Sequence, residues 1–123
     1  MSESHAPAQS AAECLALATR LRELLQALPP DGPWLSYQQA AVRLGLRPPL
    51  SVRRVIEALE QLMREDAAAG RPLLAARVIG RIRGGLPAPG FYALAQSLGL
   101  YTGPESGPLA AEFHREQLRA LGR

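Results

Sequence analysis

The chain has 123 residues, 47% of them hydrophobic and 5% aromatic, with fourteen arginines, no lysine and a net charge of +3. That length is typical of one domain, and the apolar fraction is ample for a core built mainly from Leu, Ala, Val and Ile. A single cysteine, Cys14, excludes an internal disulfide, and no apolar run reaches the roughly 18–20 residues of a membrane span. The start lacks the basic and apolar segments of a signal peptide. We therefore expect a cytoplasmic protein that does not enter a membrane.

The first helix is predicted to begin at a capping box. Residues 1–9 are small and polar and are expected to form a disordered arm. Ser10 and Glu13 follow with the S-x-x-E pattern in which each side chain bonds the other residue's backbone. Leucines then recur at helical spacing, at positions 17, 21, 24, 25 and 28. The sequence PPDGP at 29–33 ends this helix.

Two further helices are predicted on either side of a proline-containing connector. Ser36 and Gln39 form a second capping box, and Gly45 suits the end of the short helix that follows. Ser51 is expected to cap a third, longer helix with a strong apolar stripe over residues 52–63. Gly70 ends it.

The remainder is predicted as a strand, a glycine-rich loop and two more helices. The apolar run at 73–79 is typical of a strand, and residues 80–90 contain four glycines and two prolines, as a hairpin tip would. Helices are expected over 91–98 and 109–121, with Leu109 and Phe113 facing inward.

The order of these elements is that of a winged helix. The sequence WLSYQQAAVRLGL at 34–46 resembles the second helix of winged-helix DNA-binding domains, and SVRRVIEAL at 51–59 resembles their recognition helix. The resemblance implies a mainly α fold with a small β-hairpin. It divides a single domain, 10–123, into a winged helix-turn-helix core over 34–90 and a C-terminal helical extension over 91–121.

A narrower resemblance bears on chemistry. Ser36-Tyr37, Arg53-Arg54 and residues 75–81 are similar to the DNA-binding domain of alkylguanine alkyltransferases and alkyltransferase-like proteins. Where that family has a Pro-Cys-His-Arg motif, this chain has Ala75-Ala76-Arg77, with neither Cys nor His. Alkyl transfer is therefore excluded, and the resemblance implies a scaffold alone.

Arginines concentrate in the middle of the chain. Residues 43–83 contain nine arginines and four acids, whereas the rest contains five arginines and seven acids. Arg53 and Arg54 lie at the predicted start of a helix, where a bound anion would meet backbone N–H groups as well as guanidinium groups. In an extended strand, Arg77, Arg81 and Arg83 would share one face and Ile82 would lie on the other. Pairing of Arg53 and Arg54 with Glu57, and a plain solvated strand face, are the alternatives.

These features predict a non-catalytic DNA-binding protein, such as a small transcriptional regulator, that binds double-stranded DNA. The expected nucleic-acid contacts come from the recognition helix, from the wing and from the start of the preceding helix: Arg53, Arg54, Arg77, Arg81, Arg83, Tyr37 and Gln38. A homodimer through the first or last helix would enlarge the interface. The alternative is a protein-interaction module for an acidic partner, such as a phage–host or defence component, because a net charge of +3 is modest for a DNA binder.

We expect no catalytic residue, cofactor or metal site. The glycine-rich segment has no phosphate-loop pattern, and the two histidines, His5 and His114, are isolated in sequence, with His114 expected at the surface. The acids of the third helix, Asp66 among them, are expected to form a solubilising face, and Tyr92 is expected to be exposed.

Overall fold

The computed structural model describes residues 10–122, so the arm predicted over 1–9 lies outside the described residues. The elements in chain order are α1 (Ala11–Gln26), β1 (Leu35–Ser36), α2 (Tyr37–Arg43), α3 (Ser51–Ala68), β2 (Val78–Ile79), α4 (Pro89–Ser97) and α5 (Pro108–Leu121). Short 3₁₀ turns occupy Leu74–Arg77 and Arg81–Arg83. The predicted mainly α fold with a small β element is confirmed. Within residues 10–122, no helix combines the length and apolarity needed to cross a membrane.

Both predicted capping boxes are present. Ser10 Oγ accepts from the Glu13 backbone N–H at 3.1 Å, and Glu13 Oε1 accepts from the Ser10 N–H at 3.0 Å. Ser36 and Gln39 make the same reciprocal pair at 3.1 and 2.9 Å. The predicted cap at Ser51 is wrong. Leu50 holds the N-cap position and provides no side-chain bond, because Ser51 is already the first residue of α3.

The core forms mainly where α1 packs against α3. Leu21 and Leu25 of α1 and Val55 and Leu62 of α3 are fully buried, and complete burial of such a side chain contributes about 1.5–3 kcal/mol. Helix α2 packs on α3 from another side. The two helices that the sequence predicts most strongly therefore build the frame on which the rest is arranged.

An aromatic cluster joins the two C-terminal helices to each other. The rings of Phe91 and Tyr92 meet edge to face at 5.1 Å, and those of Tyr101 and Phe113 lie 4.7 Å apart. The predicted exposure of Tyr92 is wrong, because its ring is buried in this cluster and its hydroxyl donates to the Ala110 carbonyl at 2.9 Å. Burial raises the pKa of Tyr92 to about 12.

The predicted strand over 73–79 is mostly a 3₁₀ turn. Only Val78 and Ile79 are extended, and they pair in parallel with β1, Leu35 opposite Val78 and Ser36 opposite Ile79. The β element is therefore not a hairpin, since its two strands are parallel and are separated in the chain by α2 and α3. The run is buried on all sides from Leu73 to Val78, so its apolar residues indicate burial without fixing an extended backbone.

The glycine-rich segment after β2 is compact. The Gly80 N–H donates to the Leu86 carbonyl at 2.8 Å, and Gly84 and Gly85 adopt positive φ values of 67° and 86°. Ile82 was predicted to lie on the opposite face of an extended strand from Arg81 and Arg83, but it is 99% exposed and its neighbour Arg81 is exposed as well. The reason is that residues 81–83 form a 3₁₀ turn with three residues per turn, so side chains do not alternate between two faces.

Two predictions for α5 are also wrong. Leu109 is 56% exposed, although Phe113 is buried as predicted. His114 is buried, and its Nε2 lies 2.8 Å from the Ala76 carbonyl oxygen. Because α5 packs on the 74–77 turn, the small side chains of Ala75 and Ala76 allow the imidazole to approach the turn's backbone.

Candidate nucleic-acid interface

The start of α2, the N-terminal half of α3 and the 81–83 turn enclose one open groove of about 610 Å³. Gln38 contributes from α2, Val52 and Ile56 from α3, and Arg81 and Arg83 from the turn. The resemblance to a winged helix implied that the recognition helix, the preceding helix and the wing would contribute to one surface. The groove brings residues from all three segments together.

Arg53 does not line the groove itself, but its position on α3 places it at the edge. Arg53 and Glu60 are seven residues apart in α3, about two turns, so they project from the same side of the helix. Glu60 lines an apolar pocket that adjoins the groove. The Arg53 side chain is 74% exposed, with its Nε 3.6 Å from Glu57 Oε2. The alternative prediction of an ion pair with Glu57 is thus confirmed, but so exposed a pair is weak and leaves the guanidinium accessible to an anion.

Arg54 points elsewhere. It lies eleven residues before Glu65, about three helical turns, so both project from one side of α3. Glu65 pairs with Arg22 of α1 at 2.9 Å, which identifies this side as the one facing α1. Arg54 is half-buried, and the two neighbouring arginines therefore diverge.

The prediction that Arg77 projects from an exposed strand is wrong. Arg77 is 5% exposed, its Nη1 donates to the Leu25 carbonyl at 3.0 Å, and its guanidinium carbon lies 5.2 Å from the centre of the Trp34 ring. Burial lowers the pKa of Arg77. Because residue 77 ends a 3₁₀ turn between α1 and α5, its side chain enters the interior and does not reach the groove.

Arg81 and Arg83 line the groove in different ways. Arg81 is exposed. Arg83 is half-buried; its Nε donates to the Pro87 carbonyl at 3.2 Å and its Nη2 to the Glu105 carbonyl. Arg83 thus connects the 80–86 segment to the residues just before α4 and to the link before α5, which leaves Arg81 as the accessible charge of the pair.

The two α2 residues also differ. Tyr37 is 8% exposed, and its hydroxyl accepts the Ala88 backbone N–H at 2.7 Å, so it holds the segment that closes the groove. Burial raises the pKa of Tyr37. Gln38 is exposed, and it also borders a small depression with Arg43. We define the groove rim as Gln38, Arg53 and Arg81.

Sequence reasoning missed the apolar character of the groove walls. Val52 and Ile56 were assigned to the core stripe of α3, yet both line the groove and are partly buried. The adjoining pocket, about 240 Å³, is lined by further apolar residues such as Leu59, Met63 and Phe91. The sequence did contain a signal of these apolar walls, because Val52 and Ile56 are four residues apart and lie at the edge of the apolar stripe of α3.

An ionic cluster at the other end of α3 was also missed. Asp66 is fully buried, contrary to the prediction of a solubilising acid. Its Oδ1 accepts from Arg22 at 2.9 Å and from Arg71 at 3.0 Å, and its Oδ2 accepts from the Leu74 N–H at 3.1 Å. Asp66 lies seven residues after the buried Leu59, about two helical turns, and so on the same side of α3. A helical projection of the sequence would therefore have indicated that Asp66 is buried.

Across residues 10–122, no group of three or more His, Cys, Asp or Glu side chains is arranged to hold a metal ion. The groove has apolar walls, the exposed guanidinium of Arg81 and the side-chain amide of Gln38, and the exposed guanidinium of Arg53 lies at its edge. Comparison of the chain with family models, with curated proteins and with solved structures found no match to any of them.

Proposed function

We propose that the protein binds double-stranded DNA without catalysis, through the groove rim. The supporting observation is the convergence of the start of α2, the N-terminal half of α3 and the 81–83 turn around one groove. Gln38, Arg53 and Arg81 are exposed there. Such a surface offers an amide and two guanidinium groups to a duplex without any rearrangement of the fold.

The residues of the rim have complementary roles. Arg53 and Arg81 bind phosphates, since guanidinium groups match phosphate oxygens in a planar, forked geometry. Gln38 contacts phosphate or the edge of a base. The backbone N–H groups at the start of α3 strengthen an anion contact there because no side chain caps them.

The set of DNA contacts is therefore smaller than the sequence predicted. Arg77 is buried, Arg83 is engaged by two backbone carbonyls, Arg54 faces α1 and the Tyr37 hydroxyl is occupied. With so few charges, one module would bind weakly, and a second copy on the same duplex would enlarge the interface.

Charge-removing variants test this assignment. We expect Arg53→Gln and Arg81→Gln each to weaken binding of a random-sequence duplex about tenfold at low salt, because each removes one charge-assisted phosphate contact. Arg115→Gln, an exposed arginine of α5, is the matched control. Fluorescence anisotropy with a labelled duplex measures the affinity, and equal affinities of the three variants would refute the proposal.

A protein partner is the second candidate, favoured by exposed apolar side chains beside the groove. Ile82 is 99% exposed and Val42 is 75% exposed, and exposed apolar patches rimmed by polar groups mark protein interfaces. Ile82→Ser separates the candidates. If DNA is the ligand, the substitution leaves the affinity for a duplex unchanged. If a protein binds the wild-type chain through the groove, the substitution abolishes its binding.

A further inference from the structure

A second cavity, unrelated to the groove, lies beside the C-terminal end of α3. It has a volume of about 460 Å³, within the range of small-molecule sites. Its charged lining consists of Arg22, Arg71, Arg77 and a single acid, Asp66. Glu65 also pairs with Arg22 at 2.9 Å, so three guanidinium groups stand against two carboxylates and leave one uncompensated positive charge.

The carboxylate of Asp66 is fully used by its neighbours. One oxygen accepts from Arg22 and Arg71, and the other accepts from the backbone N–H of Leu74. Arg22 has a second acid, Glu65, at 2.9 Å. Arg22 and Arg71 therefore both have carboxylate partners, whereas none of these bonds involves Arg77.

Arg77 is a buried cation without a counter-ion. It is 5% exposed, and no carboxylate within residues 10–122 forms an ion pair with it. Its Nη1 bonds one carbonyl and the Trp34 ring covers the guanidinium, but the buried Nε has no hydrogen-bond acceptor among the described residues. Buried charges are normally paired, and a buried donor left unpaired is costly.

We propose that this cavity binds a small phosphate monoester. A phosphate group would provide the counter-charge that Arg77 lacks, and Arg71, whose side chain is 52% exposed, retains N–H groups that Asp66 does not use. The cavity walls also include Leu28, Leu74 and Leu121, which suit an organic group attached to the phosphate. The site goes beyond the proposed DNA binding and shares no residue with the groove rim.

Calorimetric titration of the full chain with phenyl phosphate tests the site, with phenol and inorganic phosphate as companion ligands. We expect phenyl phosphate to bind, phenol not to bind, and inorganic phosphate to bind more weakly. Equal affinity for phosphate and phenyl phosphate would overturn the monoester assignment. Absence of heat with phenyl phosphate at millimolar concentration would overturn the site itself.

Variants localise the binding. Arg71→Gln removes a guanidinium whose side chain is 52% exposed, so the fold is retained, and we expect about a tenfold loss of phenyl phosphate affinity. Arg64→Gln, 53% exposed on α3 outside the cavity, and Arg53→Gln on the groove rim should change it less than twofold. Equal losses for all three variants would contradict the proposal.

Nuclear magnetic resonance of the wild-type chain gives a result independent of any variant. The Arg77 Nε–H signal should shift on addition of phenyl phosphate, because its environment changes when a counter-ion enters. An unchanged Arg77 signal at ligand saturation would overturn the assignment. Duplex binding through Arg53 and Arg81 is measured separately, so either proposal can fail without the other.

Discussion

Among residues 10–122, Asp66 and Arg77 are the charged residues that the fold buries most completely. Asp66 is surrounded by donors, Arg22, Arg71 and the Leu74 N–H, which together offset the loss of hydration of its carboxylate. Arg77 has an aromatic ring and one carbonyl in place of an acid. Both residues connect segments far apart in sequence, which explains why the sequence suggested surface charge for one and a strand face for the other.

Replacement of Asp66 should destabilise the fold strongly. Asp66→Asn keeps the shape but removes the charge that holds Arg22 and Arg71, and we expect a loss of about 3 kcal/mol in the free energy of unfolding. Urea denaturation measures it. Glu112→Gln, an exposed acid of α5, is the control with an expected change near zero. Equal stability of the two variants would contradict the structural role of Asp66.

His114 should make stability depend on pH. Burial lowers its pKa below the ordinary value of 6.5, although the bond to Ala76 acts in the other direction. The unfolded chain therefore takes up a proton at a higher pH than the folded one. The contribution of neutral His114 to the free energy of unfolding is therefore complete above pH 6.5. It is lost as the pH falls toward the pKa of His114 in the folded chain, by at most about 1.4 kcal/mol per pH unit.

The variant His114→Gln tests that dependence, because it removes the titrating group while retaining a donor for the Ala76 carbonyl. The difference between wild-type and variant unfolding free energies should narrow as the pH falls from 7 to 5. A difference that stays constant over this range would show that His114 does not titrate with a lowered pKa.

At the scale of elements, the two capping boxes were reliable local signals, whereas the cap predicted at Ser51 does not form. The capping boxes at Ser10 and Ser36 are made of residues three apart, and both form as the sequence predicted. The strand over 73–79 failed because its backbone is set by distant partners: the Asp66 side chain holds Leu74, and α1 and α5 pack around the 74–77 turn. A run that is buried on all sides carries no periodicity from which to choose between strand and turn.

Ser36 and Ser51 both lie at the start of a helix, so substituting each of them tests how much a capping bond contributes to the free energy of unfolding. Ser36→Ala removes a hydroxyl that accepts the Gln39 N–H at 3.1 Å, and we expect it to lower the unfolding free energy by about 1 kcal/mol. Ser51→Ala should have little effect, because Ser51 makes no capping bond in α3. Thermal and urea unfolding of both variants measure the difference, and a larger loss at Ser51 would reverse the assignment.

At the scale of the whole molecule, the sequence did not show which side chains remain available. The resemblance to a winged helix implied that the starts of α2 and α3 and the segment after β2 contribute to one surface. It did not show that Arg77 would turn inward, that Arg83 would bond backbone carbonyls, or that Val52 and Ile56 would line a groove. Those outcomes depend on tertiary contacts with α1, with the link before α5 and with α4.

The salt dependence of duplex binding tests the central claim most directly, because each neutralised phosphate contributes about −0.9 to the slope of log affinity against log salt. With two phosphate-binding arginines, we predict a slope of about −1.8 for the wild-type chain, shallower by about 0.9 in Arg53→Gln and by the same amount in Arg81→Gln, and unchanged in Arg115→Gln. Identical slopes in all four proteins, or no duplex binding by the wild-type chain at low salt, would contradict DNA binding through the groove rim.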